Sequence, residues 1–188
     1  MRQAALLPIR HRVTAGAAGR VLEIGAGSGL NLPLYRSPVT AVIALEPSAA
    51  LRHRAAARAA AAAVPVTLLE ANAEALPLED ASIDTALTTW TLCTVADAPR
   101  ALAELRRVLR PAGALLFVEH GRAPEPGVAR WQDRLDPLWS RVAGGCHLNR
   151  RIDALITAAG FRIQQLAQAR LAGPRTHTFL YEGCARPG

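Results

Sequence analysis

Residues 20–30 read RVLEIGAGSGL. Val21, Leu22 and Ile24, with Glu23 set among them, run into a loop in which Gly25, Gly27 and Gly29 alternate with Ala26 and Ser28. That order describes a buried strand entering a tight turn, because glycine accepts positive φ and lets the backbone approach a ligand closely. A dinucleotide fingerprint would put its third glycine at position 30, which is Leu30, so the pattern is GxGxG and not GxGxxG.

Outward from this loop, strand and helix patterns alternate. Residues 39–45 (VTAVIAL) are β-branched and apolar and end at Glu46, and Ser48 is a candidate N-cap for an alanine- and arginine-rich helix over 49–63. Residues 64–69 and 82–89 read as the third and fourth strands. Asp97 caps a helix in which Leu102, Leu105, Val108 and Leu109 recur at helical spacing, residues 110–113 (RPAG) stop it, and 114–118 form a fifth strand. Beyond it, Trp131, Leu135, Leu138 and Val142 share one face of a helix that Asp136-Pro137 kinks or restarts. Asn149 caps a helix over 150–159 that ends at Gly160, and 161–166 and 177–181 supply the last two strands. Residues 1–19 carry weak patterning, enough for one short helix at most.

Alternating strand and helix implies parallel crossover units, whose ligands sit beyond the carboxyl ends of the strands. Glu46 stands at such an end, about 20 residues past the glycine loop, where a carboxylate accepts hydrogen bonds from both hydroxyls of a ribose.

Four stretches, in order, resemble the motifs of class I S-adenosylmethionine (SAM) dependent methyltransferases. They are the loop Glu23-x-Gly25-x-Gly27-x-Gly29, residues 70–77 (EANAEALP), the strand entered through Asp84, and residues 106–120 (RRVLRPAGALLFVEH). The resemblance implies a Rossmann-like α/β fold: a seven-stranded, mostly parallel sheet with helices on both faces and an antiparallel last strand. It implies one domain over 1–188, with 119–148 as a substrate-side insertion or lid, and SAM as cofactor, released as S-adenosylhomocysteine (SAH). Glu23, Gly25, Ala26, Gly27 and Gly29 would hold the methionine half, and Glu46 with Pro47 the ribose. Asn72, Ala73, Glu74 and Thr89 complete the cofactor set, Asn72 standing where the family has an acid for the adenine amino group.

A narrower resemblance is to methyltransferase-like proteins that act as alkyl thiol S-methyltransferases. It rests on 91–95 (TLCTV), Glu119-His120, Trp131-Gln132, Leu135-Asp136-Pro137 with Trp139, Gly145-Cys146 with Leu148 and Arg150, and His177. Trp90, Cys93, Trp131, Trp139 and Cys146 are the substrate-side residues it implies, and His120, then His147, the candidates for removing a proton or orienting a nucleophile. A thiol is already partly thiolate at neutral pH and asks little of a base. Animal members carry an N-terminal membrane anchor and a longer approach helix that this chain does not show, which leaves open what covers the SAM site. The alternatives are O-, N- or C-methylation of a phenol, quinone precursor or lipid amine, a SAM-binding module without catalysis, and a NAD-dependent reductase, which the glycine spacing disfavours.

Composition bounds these readings. The chain has 188 residues, 51% of them hydrophobic, and a mean hydropathy of +0.14, which excludes a disordered chain and gives one core with no room for a second. No apolar run reaches the roughly 18 residues of a membrane span, and 1–9 make a poor signal peptide, so the expectation is a cytoplasmic protein. Cys93, Cys146 and Cys184 are too dispersed for a disulfide framework and form no CxxC pair, so reduced thiols and no metal are expected. The net charge of +7 comes from arginine alone, scattered among alanine runs. That scatter reads as a solvated surface, and without an NPPY-type tetrapeptide for a flipped base it points to a small-molecule acceptor, not nucleic acid. The oligomeric state is open at this stage.

Overall fold

The computed structural model describes residues 3–188, with side chains from Leu6 onward. Helix α1 (Gln3–Ala15) precedes β1 (Gly19–Ile24), then a single 3-10 turn (Leu32–Leu34), β2 (Val39–Leu45), α2 (Ala49–Ala60) and β3 (Val66–Leu69). The second half runs β4 (Ile83–Thr89), α3 (Ala98–Val108), β5 (Leu109–His120), α4 (Pro126–Val142), α5 (Ile152–Ala158), β6 (Phe161–Arg170) and β7 (Phe179–Pro187). One seven-stranded sheet has the order β3-β2-β1-β4-β5-β7-β6. β1 to β5 are parallel, and β7 is antiparallel to both β5 and β6.

Period-two alternation along the central strands builds two apolar layers. Leu22, Ile24, Ile43 and Leu45 pack with Leu102 and Leu105 of α3 and Ile152 and Ile156 of α5. Val21, Val42 and Ala44 pack on the other face with Ile9 and Val13 of α1 and Ala55 of α2. Both faces of β1 and β2 are therefore covered, which is why these strands read as near-continuous apolar runs. The chain moves outward from β1 to β3 and then returns to β4, so the strand order reverses between β1 and β4. A crevice opens at the carboxyl ends of those two strands.

The caps at Ser48 and Asp97 form, accepting from the backbone N–H of Leu51 at 3.4 Å and of Arg100 at 3.0 Å. Several expectations need correction. Residues 110–113 do not precede β5 but form an irregularity inside it, between the pairs Ile83–Leu109 and Thr85–Ala114. Asn149 does not cap α5; its Nδ2 donates to Asp133, and Arg151 takes the cap position without a side-chain bond. The β6–β7 hairpin is longer than its apolar cores suggested, because β6 continues four residues past Leu166 and β7 six past Tyr181, paired backbone to backbone.

Helix α4 is the largest correction. It runs through Pro137 unbroken, and the apolar stripe faces outward: Trp131 is 56% exposed and Val142 72%. The buried face carries Ala129, Gln132 and Asp136. Gln132 Oε1 accepts from Ala123 N at 2.8 Å and its Nε2 donates to the carbonyls of Gly121 and Thr176. These buried polar anchors satisfy irregular backbone that would otherwise be stranded, and they set the helix's orientation against its hydrophobic period.

Candidate active site

The glycine loop leaves the end of β1 and closes onto the end of β2. Ala26 N donates to Leu45 O at 3.0 Å, and Gly27 N donates to Glu46 Oε2 at 2.9 Å, while Ser48 N donates to the other carboxylate oxygen at 2.9 Å. Each oxygen of Glu46 thus keeps acceptor capacity for a further donor. Gly25 (φ 63°) lies against Thr91, whose side chain a Cβ would strike. At Gly27 (φ 58°) a Cβ would meet nothing nearer than Gly25 O at 4.0 Å, so the loop presents an open cradle on that side.

Glu23 sits behind the loop, fully buried. Asn31 Nδ2 donates to Oε1 and Tyr35 OH to Oε2, both at 2.8 Å, and Arg10 Nη1 of α1 donates to Asn31 Oδ1 at 2.8 Å. Burial pushes the Glu23 carboxyl up to about 7 against the pull of these donors. Asn31 also donates to Thr89 Oγ1 at 3.1 Å, linking the loop to the end of β4. Asn72 is exposed, its Oδ1 accepting from Glu74 N at 3.4 Å in a local turn closed by a bridge to Ala75. Ala73 is buried, and Glu74 Oε1 accepts from Asp97 N at 3.2 Å.

On the other side of the β4 end lies a cavity of about 760 Å³, walled by Leu6 and Arg10 of α1, Trp90, Cys93 and Thr94 after β4, His120 at the end of β5, and Trp139 of α4. Cys146, Leu148, Ala172, Pro174, His177 and Thr178 complete it. The registration Thr89–Val118 explains the meeting of residues distant in sequence: parallel neighbours β4 and β5 release their chains side by side. Trp90 holds φ 55°, a costly conformation for a bulky residue, and its guanidinium neighbour Arg10 lies 4.8 Å from the ring centroid.

Two buried groups fix the 91–95 turn. Glu119, fully buried, accepts from the backbone N–H of Thr91 at 3.0 Å and of Cys93 at 3.3 Å. Arg150 Nη1 donates to the carbonyls of Leu92 at 2.6 Å and Val95 at 2.8 Å. Within the turn's reach, ligand atoms of Cys93, His120 and Cys146 all lie within 4.8 Å of one another, with Cys146 Sγ 3.7 Å from His120 Nδ1. The hydrogen bond from Cys93, and then His120, draws the Cys146 thiol below the ordinary range, while the same bond and burial push Cys93 well above it. Trp139 stacks edge-on against His177, ring centroids 4.3 Å apart.

The structure therefore gathers Trp90, Cys93, His120, Trp139 and Cys146 around one cavity. It does not bring Trp131 or His147 there: Trp131 lies on the exposed face of α4, and His147 Nδ1 is held 2.8 Å from Asp136 Oδ2. Arg10 and Thr178 were not singled out from the sequence, whereas Thr94 belongs to the 91–95 stretch that was. Arg10 was hidden because its helix has little amphipathic pattern, and its partner Asn31 lies 21 residues away.

Residues 22–117 match the methyltransferase domain family. The chain belongs to that family. The chain is 34% identical over 149 residues to Thiol S-methyltransferase TMT1B of Homo sapiens, covering 72% of this chain and 57% of that protein. It is 32% identical over 161 residues to human Thiol S-methyltransferase TMT1A, covering 78% and 62%. The chain thus spans about six tenths of the length of these curated relatives. A solved structure of a SAM-dependent methyltransferase from Thermotoga maritima, titled a possible histamine N-methyltransferase, superposes with TM-score 0.67 at 27% identity, covering 97% of this chain and 88% of that one.

SAM is the cofactor of this chain, and the residues present fit it: the open face of Gly27 lies beside the carboxylate of Glu46, each of whose oxygens keeps acceptor capacity for a hydroxyl. No helix among the described residues is long and apolar enough to cross a membrane.

Proposed function

We propose that the chain methylates the sulfur of a small thiol held in the cavity beside His120. One observation carries the reading: among the described lining residues there is no carboxylate, the one fixed cation is Arg10, and the remaining polar groups are thiols, imidazoles and hydroxyls. A lipid amine would enter as a cation facing Arg10 with no carboxylate to pair with, which costs binding. A neutral or anionic sulfur nucleophile has no such conflict. The relatives named as thiol S-methyltransferases support the same choice.

The cofactor supplies an electrophilic methyl group. Glu46 and the glycine loop hold it from the ribose side, and we assign Asn72, Ala73, Glu74 and Thr89 to the rest of its contact. Trp90 and Trp139 enclose the acceptor and exclude water, so that the sulfur is presented in line, where orientation alone accounts for much of the rate. His120 orients the thiol through a ring nitrogen. Glu119 and Arg150 are positioning residues, which act by fixing the 91–95 turn that carries Cys93. Residues 119–148 serve as the substrate-side wall of a single domain.

The test is transfer of labelled methyl from SAM to a panel of alkyl and aromatic thiols, phenols and amines, with products identified by mass. Thioether is the expected product, and His120→Ala lowers its turnover by about 100-fold. Full turnover in that variant removes the role given to His120.

A further inference from the structure

We propose that Cys93, His120 and Cys146 form a three-ligand site for a thiophilic divalent cation, zinc by preference, whose fourth coordination position opens into the acceptor cavity. Zinc takes thiolate sulfur at about 2.3 Å and imidazole nitrogen at about 2.0 Å in a tetrahedron, and sites that keep one position open have three protein ligands. Here one ligand atom from each residue lies within 4.8 Å of the others, against edges of roughly 3.5–3.8 Å in such a tetrahedron, so a shift of about 1 Å closes the set. Two thiols with one imidazole select zinc over magnesium or calcium, which want oxygen.

Three further observations point to a ligand. His120 is only 5% exposed; its Nδ1 faces Cys146 Sγ at 3.7 Å, and its Nε2 is buried with no hydrogen-bond partner among the described residues, so the imidazole sits in the interior held by one long sulfur contact alone. All three residues line the same cavity, which gives the ion both an entry path and an open side. The backbone bearing Cys93 is rigid, clamped by Glu119 and Arg150, and Cys146 follows directly on Gly145, whose N–H is tied to Ser140 O at 2.9 Å. A disulfide between Cys93 and Cys146 is the competing use of the two sulfurs, but it leaves the imidazole nitrogen without a purpose.

The consequence deepens the thiol reading and rests on it. An acceptor thiol entering the open position forms a sulfur–metal bond and loses its proton to solvent, so it is held as a thiolate at neutral pH without an oxidant or reductant. His120 then serves as a ligand, and proton removal falls to the cation.

The site is tested without cofactor or acceptor, by titrating the reduced, metal-free 188-residue chain with Co²⁺ as the spectroscopic probe. The expected result is one equivalent bound, with a sulfur-to-cobalt charge-transfer band and the visible absorption of a tetrahedral site, displaced by Zn²⁺ and not by Mg²⁺. Cys146→Ala, at a half-buried position that tolerates truncation, and His120→Gln each weaken uptake by more than about tenfold, whereas Cys184→Ala leaves it unchanged. No band in the wild-type chain, or a band unaltered in both ligand variants, overturns the site, as does a chain that only forms a Cys93–Cys146 disulfide and takes up no cobalt once reduced. Cobalt uptake by a chain that methylates no thiol keeps the site and retracts the thiol reading. Full thiol methylation by a chain that takes up no metal does the reverse.

Discussion

Glu46 Oε2 accepts the backbone N–H of Gly27 at 2.9 Å, so the carboxylate that ends β2 also fixes the centre of the glycine loop. The glycine loop and Glu46, the two elements assigned to the cofactor, are one unit, joined across the ends of the adjacent strands β1 and β2. Glu46→Ala removes both the tie and the acceptor of ribose hydroxyls. Hydrogen bonds to a charged group contribute about 1.5–3 kcal/mol, so SAH binding measured by calorimetry is expected to weaken by about 10- to 100-fold. An unchanged dissociation constant would remove Glu46 from the site.

Glu23 makes the stability of the protein depend on pH. Its buried carboxyl titrates near 7 in the folded chain and near 4.5 when exposed. A native pKa above the unfolded one means that the folded state holds the proton more tightly, so the contribution is fully present below about 4.5 and is lost as pH rises through 7. The loss is on the order of 3 kcal/mol. Urea midpoints for the cofactor-free chain are expected to fall between pH 5 and pH 8, while Glu23→Gln, which carries no titrating proton, flattens that slope. Parallel slopes in the two proteins would assign the dependence elsewhere.

The two tryptophans of α4 separate packing surface from cavity wall. Trp139 faces the cavity and His177, whereas Trp131 lies 56% exposed with Arg134 5.4 Å from its ring. Trp139→Ala removes roughly 1.5–3 kcal/mol of apolar enclosure and lowers kcat/KM for the acceptor by about tenfold or more. Trp131→Ala stays within about 0.5 kcal/mol in stability and leaves kcat/KM unchanged. Equal effects of the two on steady-state kinetics would contradict the placement.

The parts of the molecule legible in the sequence are those where local pattern and global fold agree. β2 begins and ends at the residues its apolar run marked, and the glycine loop with Glu46 takes the place that the topology requires. The orientation of α4 was illegible because Gln132 and Asp136 outweigh its apolar stripe: each bonds irregular backbone outside the helices and the sheet. Asn149 looked like a cap, yet Asp133 one element earlier competes for its amide. The Cys93–His120–Cys146 cluster was missed because local cysteine spacing cannot show it. Cys93 and His120 meet because β4 and β5 end side by side, with Thr89 paired to Val118, and Cys146 reaches them from the loop between α4 and α5.

Sulfur is the proposed preferred acceptor in the cavity beside His120. This preference is tested most directly by offering the full chain, with SAM, an alkyl or aryl thiol and its oxygen twin at equal concentration in one vessel, and counting methylated products by mass. The expected result is thioether in large excess over methyl ether, with the excess lost in Trp139→Ala and His120→Ala. Methyl ether equal to or exceeding thioether would contradict it.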